Sequence, residues 1–177
     1  HQFNLLNKVG TKLTGLTSIT DYQAKGLVIR GPTVELNGLT SITAQQAESL
    51  SKAVNLQLNG LTAIDDNQAE LLKKVKSHLQ LNGLESITDR QMESLSYLPF
   101  LELNGIKSIT DRQAEVLHET NNLSLNGLTS ITDHQAEYLS TNKYVLRLDG
   151  LTSLSDAQAI ILSKVEELHL GSLTSIT

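Results

Sequence analysis

One short segment of this chain recurs at a nearly fixed interval, and that recurrence restricts the possible folds more than any other feature. The repeated unit reads L-x-L-N-G-L-t-S-I-T-D-x-Q-A-E-x-L, followed by a variable tail. Its glycine recurs after 22 or 23 residues, at Gly15, Gly38, Gly60, Gly83, Gly105, Gly127 and Gly150. Because such a period is typical of stacked repeats, the sequence predicts one solenoid of about eight units over residues 1–177.

Both ends of the chain fall inside a unit. Residues 1–6 align with residues 134–139, which belong to a predicted helix, and Thr177 stands where other units begin their helix. Terminal repeats of a solenoid normally carry a polar cap, and neither end has one. We therefore expect a fragment of a longer repeat protein, or a solenoid that is capped by segments outside this chain.

Within each unit, a strand pattern is followed by a helix pattern. Apolar and polar residues alternate in Leu56-Gln57-Leu58, which predicts a short, half-buried strand. The following Asn59-Gly60 predicts a turn, because glycine adopts positive φ freely and asparagine does so better than most residues. A Thr/Asp/Ser-x-x-Gln tetrad then has the form of a capping box and predicts the start of a helix of two or three turns. The tetrads begin at Thr20, Thr43, Asp65, Thr88, Thr110, Thr132 and Ser155.

Composition argues against several classes of protein. The formal net charge is -5, whereas a nucleic-acid-binding protein would carry a basic stripe. The chain has no cysteine, which excludes disulfide scaffolds and thiolate metal sites. No apolar run approaches the ~18 residues that a membrane-spanning helix needs, so we expect no membrane insertion.

These motifs resemble the leucine-rich-repeat superfamily, in particular its bacterial members with similarly short units and a helical convex side. The resemblance implies an α/β fold, a right-handed solenoid in which the L-x-L segments form a parallel concave sheet and short helices cover the convex side. It also implies a non-catalytic scaffold that binds a protein or peptide partner on the concave face of the sheet.

The chain departs from that family in its asparagine stack. Many members have an asparagine three residues after the second leucine of L-x-L, where it bonds the backbone between units, but this chain has Leu61 or an equivalent apolar residue. We therefore assign the asparagine before each glycine to the turn, and the glutamine of each tetrad to capping. The backbone bonding between units is expected to pass in part to the serine two residues after Leu61 and its equivalents. The serines are Ser41, Ser86, Ser108, Ser130 and Ser153.

Residues that point out of the predicted sheet vary between units, whereas scaffold positions hardly change. Such variation on one face is expected of a binding surface, and the alternative is drift at exposed positions that nothing selects. The middle position of L-x-L reads Glu35, Gln57, Gln80, Glu102, Ser124, Arg147 and His169.

The centre of that face is the candidate binding patch. His78, Gln80, Phe100 and Glu102 are expected to be neighbours on two adjacent strands. Phe100 is a candidate apolar anchor on a polar face, unless it folds under the loop with Pro99 as local core. The remaining members of the candidate patch are Glu85, Lys107 and Arg147.

Two other classes of function compete with binding. An enzyme needs converging reactive groups, but the histidines are scattered and no catalytic motif is present, so we expect no catalysis, cofactor or metal. A structural or self-assembling array, of surface or adhesion type, is the alternative, and exposed strand edges would favour end-to-end self-association. Glu85 and Lys107 interrupt the row of threonines that a flat array would use, and as neighbours in the stack they are expected to form a surface ion pair.

Overall fold

Each unit folds as a short strand, a turn and a short helix. The structure is a computed structural model, and it describes residues 11–29, 31–118 and 120–177. The strands are β1 (Thr11–Lys12), β2 (Thr33–Glu35), β3 (Asn55–Gln57), β4 (His78–Gln80), β5 (Phe100–Glu102), β6 (Asn122–Ser124), β7 (Val145–Arg147), β8 (Ser153–Leu154), β9 (Glu167–His169) and β10 (Ser175–Ile176). The helices are α1 (Asp21–Val28), α2 (Ala44–Leu50), α3 (Asp66–Leu72), α4 (Asp89–Leu95), α5 (Asp111–Leu117), α6 (Asp133–Leu139) and α7 (Asp156–Leu162). The helix expected over residues 1–6 lies outside the described residues.

Eight strands form one parallel sheet in chain order, β1 to β7 followed by β9, while β8 and β10 pair separately. Equivalent residues pair in register, as Leu56 does with Leu79 and Leu79 with Leu101. Adjacent strands are about 4.8 Å apart, whereas packed helices need about 8–10 Å. The helical side is therefore the longer one, and the sheet lines the concave side. The predicted α/β solenoid is confirmed.

All seven predicted capping boxes are present and start the seven helices. At α5, the backbone N–H of Gln113 donates to Thr110 Oγ1 at 3.0 Å, and the N–H of Thr110 donates to Gln113 Oε1 at 3.0 Å. Helices of two turns are unstable alone in water, so packing against neighbouring units has to hold them. The capping box fixes where each helix begins, and the stack keeps it folded.

The core is one continuous apolar column between the sheet and the helices. One unit contributes Leu101, Leu103, Ile106, Ile109 and Leu117, all of which are buried as predicted. The helices add their alanine and leucine from one face, and Met92 replaces the alanine in α4. Each such residue contributes roughly 1.5–3 kcal/mol when it is fully buried, before conformational entropy is counted.

The repeated glycines serve a different purpose from the one predicted. From Gly38 to Gly150, none of these glycines has a φ in the left-handed region. Instead, a Cβ atom on Gly60 would lie 2.6 Å from the carbonyl oxygen of Leu39 and closer still to that of Asn37, both in the preceding unit. Glycine is required because two backbones approach each other here, and the positive φ expected from the Asn-Gly pair is wrong.

The asparagines before the glycines join neighbouring units. The Oδ1 atom of Asn82 accepts the backbone N–H of Asn104 at 3.0 Å, and Asn104 in turn accepts that of Asn126 at 2.9 Å. The same bond runs from Asn37 to Asp149, where an aspartate takes over the role and accepts the N–H of Gly171. An asparagine stack therefore joins the units, and it stands two residues earlier in the unit than Leu61 and its equivalents.

The capping glutamines also reach across to the preceding unit. While Oε1 of Gln113 completes its own helix cap, Nε2 donates to the carbonyl of Ile87 at 2.9 Å. Five other glutamines make the equivalent bond to an isoleucine carbonyl. The five serines that we expected to bond the backbone are exposed, so that hypothesis is wrong.

Two units carry a buried polar residue in the loop between helix and strand. Ala53, Val75, Leu98 and Val165 are buried at this position, and Thr120 and Asn142 replace them in the loops before β6 and β7. Thr120 Oγ1 donates to the Ser96 carbonyl at 2.7 Å.

Asn142 is less well satisfied than Thr120. Its Nδ2 reaches the Leu117 carbonyl at 3.3 Å, but its Oδ1 is buried and has no hydrogen-bond partner among the described residues. The loop before β7 therefore contains a local weakness.

Replacing Asn142 with valine is expected to stabilise the fold. The change removes an unsatisfied buried acceptor, and the Leu117 carbonyl keeps its bond from the Thr120 N–H at 3.0 Å. We expect the free energy of unfolding to rise by about 1 kcal/mol in urea denaturation. Thr120→Val is the control, since its hydroxyl is satisfied and its loss should bring no gain. An Asn142→Val protein that is less stable than wild type would contradict this account.

Alanine in place of Gly60 is expected to destabilise the stack. The new methyl group would meet two backbone oxygens of the preceding unit, which cannot rotate away, so neighbouring units must separate. We expect a loss of about 1–3 kcal/mol in the same assay. Gly26→Ala, inside α1 with open space around it, should instead be neutral or stabilising. Equal effects of the two substitutions would refute close approach as the reason for glycine.

Candidate functional site

Four residues of the candidate patch meet at the centre of the sheet. His78 pairs with Phe100 and Gln80 pairs with Glu102 across β4 and β5, and all four side chains are at least partly exposed. The rings of His78 and Phe100 are 5.6 Å apart. The Phe100 side chain is 42% exposed, so it does not fold under the loop as local core.

Glu102 is held by three donors from the adjacent unit. Its Oε1 atom lies 2.8 Å from His78 Nε2 and 3.1 Å from Gln80 Nε2. Its Oε2 atom accepts from Asn82 Nδ2 at 3.1 Å. An ionised carboxylate only accepts hydrogen bonds, so His78 has to present an N–H at this atom. The network fixes both side chains of the His78–Glu102 pair.

These contacts favour the ionised form of Glu102. The hydrogen bond from His78 lowers the pKa of Glu102, partial burial opposes that effect, and the bonds from Asn82 and Gln80 add to the lowering. Because the folded pKa is below the unfolded one, the network contributes stability above the ordinary glutamate pKa. That contribution is lost as pH falls through the lowered value, so the network is intact at neutral pH.

A depression of about 350 Å³ opens beside this network, over β5, β6 and β7. Its floor is Ser124, a short residue between Glu102 and Arg147. These residues belong to the middle row, which is formed by the middle residue of each L-x-L segment. The row formed by the first residue of each strand contributes Phe100, Asn122 and Val145. The depression exists because a serine stands where the flanking strands have long side chains.

Three hydrogen-bond donors in the depression have no acceptor among the described residues. In the preceding units, the asparagine Nδ2 donates to the middle-row residue of the next strand, as Asn59 does to Gln80 Oε1 at 3.1 Å. Ser124 donates to Asn104 Oδ1 instead of accepting from Nδ2, and Arg147 offers no acceptor to Asn126. The free donors are Asn104 Nδ2, Asn126 Nδ2 and the Arg147 guanidinium.

Four residues of the candidate patch line this depression, namely His78, Phe100, Glu102 and Arg147. Ser124 was not predicted from the sequence, and Asn104 and Asn126 were assigned to the turn. The available signal was size, since Ser124 is the shortest residue of the middle row. Glu85 and Lys107 are exposed and do not line the depression, and they form no ion pair with each other, so that expectation is wrong.

The architecture follows from one buried L-x-L strand per unit, paired in parallel with its copies, and a helix that returns outside the sheet. This is a leucine-rich-repeat solenoid. No family model and no curated protein matches the sequence. Among solved structures, the solenoid is similar to an internalin from Listeria monocytogenes, with 16% identity, a TM-score of 0.42, and coverage of 98% of this chain and 74% of that one. A likeness of that size supports no transfer of a site or a partner.

Two further features of the leucine-rich-repeat solenoid bear on its chemistry. Across residues 11–29, 31–118 and 120–177, no helix has the length and apolar character to cross a membrane. Nor does that part of the chain bring together three or more His, Asp or Glu side chains as a metal would require.

Aspartate should be tolerated at Asn126 but not at Asn82. Both substitutions keep the Oδ1 acceptor, as natural Asp149 does. At position 82, however, the change replaces a donor to Glu102 with a second carboxylate, whereas at position 126 it faces Arg147. We expect Asn82→Asp to lower the free energy of unfolding by roughly 1–2 kcal/mol and to raise the pKa of Glu102.

The free energy of unfolding of Asn126→Asp is expected to stay within about 0.5 kcal/mol of wild type. The variant keeps the Oδ1 atom that accepts the Asp149 N–H and gains an ion pair with Arg147. Urea denaturation and carboxyl-carbon NMR titration measure both quantities. An unchanged Glu102 pKa in the Asn82→Asp protein would exclude the hydrogen bond from Asn82 to Glu102 as a cause of the lowered pKa.

Proposed function

We propose that this chain is a non-catalytic scaffold that binds a protein or peptide partner on the concave face of its sheet. The observation that supports this most is the separation of variable from constant positions. The outward residues of β2 to β7 and β9 differ from unit to unit, while the leucines, asparagines, glycines and glutamines of the scaffold recur. Solenoids use such extended concave surfaces for binding.

The central patch has the composition of an interaction site. Phe100 provides exposed apolar surface beside a fixed polar network of His78, Gln80 and Glu102. Residues that are already held in one rotamer lose little conformational entropy on binding, and an aromatic group beside them can act as an anchor. The depression next to Phe100 offers a place for a protruding partner side chain.

Removal of the central patch is expected to weaken binding strongly without unfolding the chain. We would select binders from a random peptide library displayed on phage, using the wild-type chain as bait. The selected peptides would then be measured against a protein that carries His78→Ala, Phe100→Ala and Glu102→Ala. We expect their affinity to fall by at least about tenfold, because the anchor and its polar support are lost together.

A matched triple variant on the helical side is the control. Tyr97, Glu93 and Arg112 are exposed there and provide an aromatic, an acidic and a basic side chain, so their replacement by alanine removes similar chemistry from the opposite face. This protein should bind the selected peptides as wild type does. The proposal would be contradicted if no peptide is enriched, or if the enriched peptides bind all three proteins alike.

A further inference from the structure

We infer that the depression over β5, β6 and β7 receives an acidic side chain of an extended partner peptide, with an apolar residue two positions away packed on Phe100 and Val145. This inference rests on the proposed function, and it specifies the chemistry of the partner.

Among the described residues, two asparagine amides in the depression lack the acceptor that their equivalents have in other units. Asn37, Asn59 and Asn82 each give Nδ2 to the middle-row residue of the next strand, at 3.1–3.3 Å. The pattern stops at Asn104 and Asn126, the two asparagines that line the depression. A ligand that supplies oxygen acceptors there would give these two amides the hydrogen bond that their equivalents make in the preceding units.

Arg147 gives the depression its positive charge. Of the three arginines in the described part of the chain, Arg90 and Arg112 lie within 4.0 Å of carboxylates, and Arg147 does not. An unpaired guanidinium next to two amide donors matches the acceptor sites of a carboxylate, which only accepts hydrogen bonds.

The opposite wall of the depression limits the charge of the ligand. Glu102 is ionised there, two strands and therefore about 10 Å away from Arg147. It would repel a dianion such as phosphate more strongly than a single carboxylate held near Arg147. The combination of one cation, two neutral donors and a distant anion favours a monoanion.

The two rows of the depression set the spacing of the partner. The polar row of Ser124 and Arg147 lies two residues along the strands from the row of Phe100, Asn122 and Val145. Two residues of an extended chain span about 6.6 Å, and their side chains point to the same side. A peptide that runs along the strands can therefore place an acid on Arg147 and an aliphatic residue against Val145 and Phe100.

Blocked synthetic peptides test this inference directly. Nine-residue peptides with acetylated and amidated ends would carry Leu-Thr-Glu or Glu-Thr-Leu at the centre and Gly-Ser flanks, so that the only carboxylate is the glutamate side chain. Partners with Gln in place of Glu are the matched controls. In NMR titration of the full chain, we expect at least one of the Glu peptides to bind about tenfold more tightly than its Gln partner and to shift the amides of Ser124 and Arg147.

Ser124→Gln is the decisive variant. The longer side chain fills the depression and offers Oε1 to Asn104 Nδ2, as Gln57 does to Asn37, so folding should be preserved or improved. We expect the preference for Glu over Gln to disappear in this protein and in Arg147→Gln. Gln57→Ser opens a similar gap far from Arg147 and should leave the preference unchanged.

Each result has a separate meaning for the inference and for the proposed function. Equal binding of Glu and Gln peptides, or an unchanged preference in Ser124→Gln, overturns the inference. So does binding that requires a free peptide C-terminus, which is tested with a Gln peptide that ends in an unblocked carboxylate. If the phage-selected peptides still depend on the central patch in any of these cases, the proposed function stands without the inference.

Discussion

Side-chain amides that cross from one unit to the next hold this solenoid in register. Strand pairing satisfies the backbone inside the sheet, but where the chain turns away, its N–H and C=O groups need other partners. Asn82 accepts the backbone N–H of Asn104, and Gln113 donates to the carbonyl of Ile87. Both bridges require that the equivalent backbone N–H or carbonyl group occupies the same position in every neighbouring unit. The near-constant repeat length and the glycine that permits close approach follow from this requirement.

The same bridges connect the scaffold to the binding face. An asparagine uses Oδ1 for the backbone of the next unit, and its Nδ2 is left to contact the middle-row side chain of the next strand. Glu102 therefore takes part of its hydrogen bonding from a scaffold residue, Asn82. Where the middle row carries Ser124 or Arg147, the scaffold amide is instead presented to solvent. A single substitution in the middle row thus changes both the shape of the face and the donors that it displays.

Patterns within one unit were sufficient to predict the strands, the helix starts and the apolar column, because alternation and the capping box involve residues that are close in sequence. Contacts between units were harder to predict. Gln113 satisfies its own cap with one atom and the neighbouring unit with another, and its local role was enough to explain its presence. Glu85 and Lys107 are neighbours in the stack, but they form no ion pair with each other. The depression depends on the relative lengths of three side chains on three strands, which only the register brings together.

The two units that carry Ser124 and Arg147 on the exposed face also differ from their neighbours in the interior. On the concave side, Ser124 and Arg147 do not accept the Nδ2 bond of the preceding asparagine. The loops that lead into their strands carry Thr120 and Asn142 in place of an apolar residue. Loss of binding in a variant of these units could therefore reflect a weakened stack as well as a changed surface. Ser124→Gln separates the two causes, because it restores the contact that stabilises the preceding units and removes the depression. A chain that becomes more stable and loses its preference for an acid would assign recognition to the surface alone.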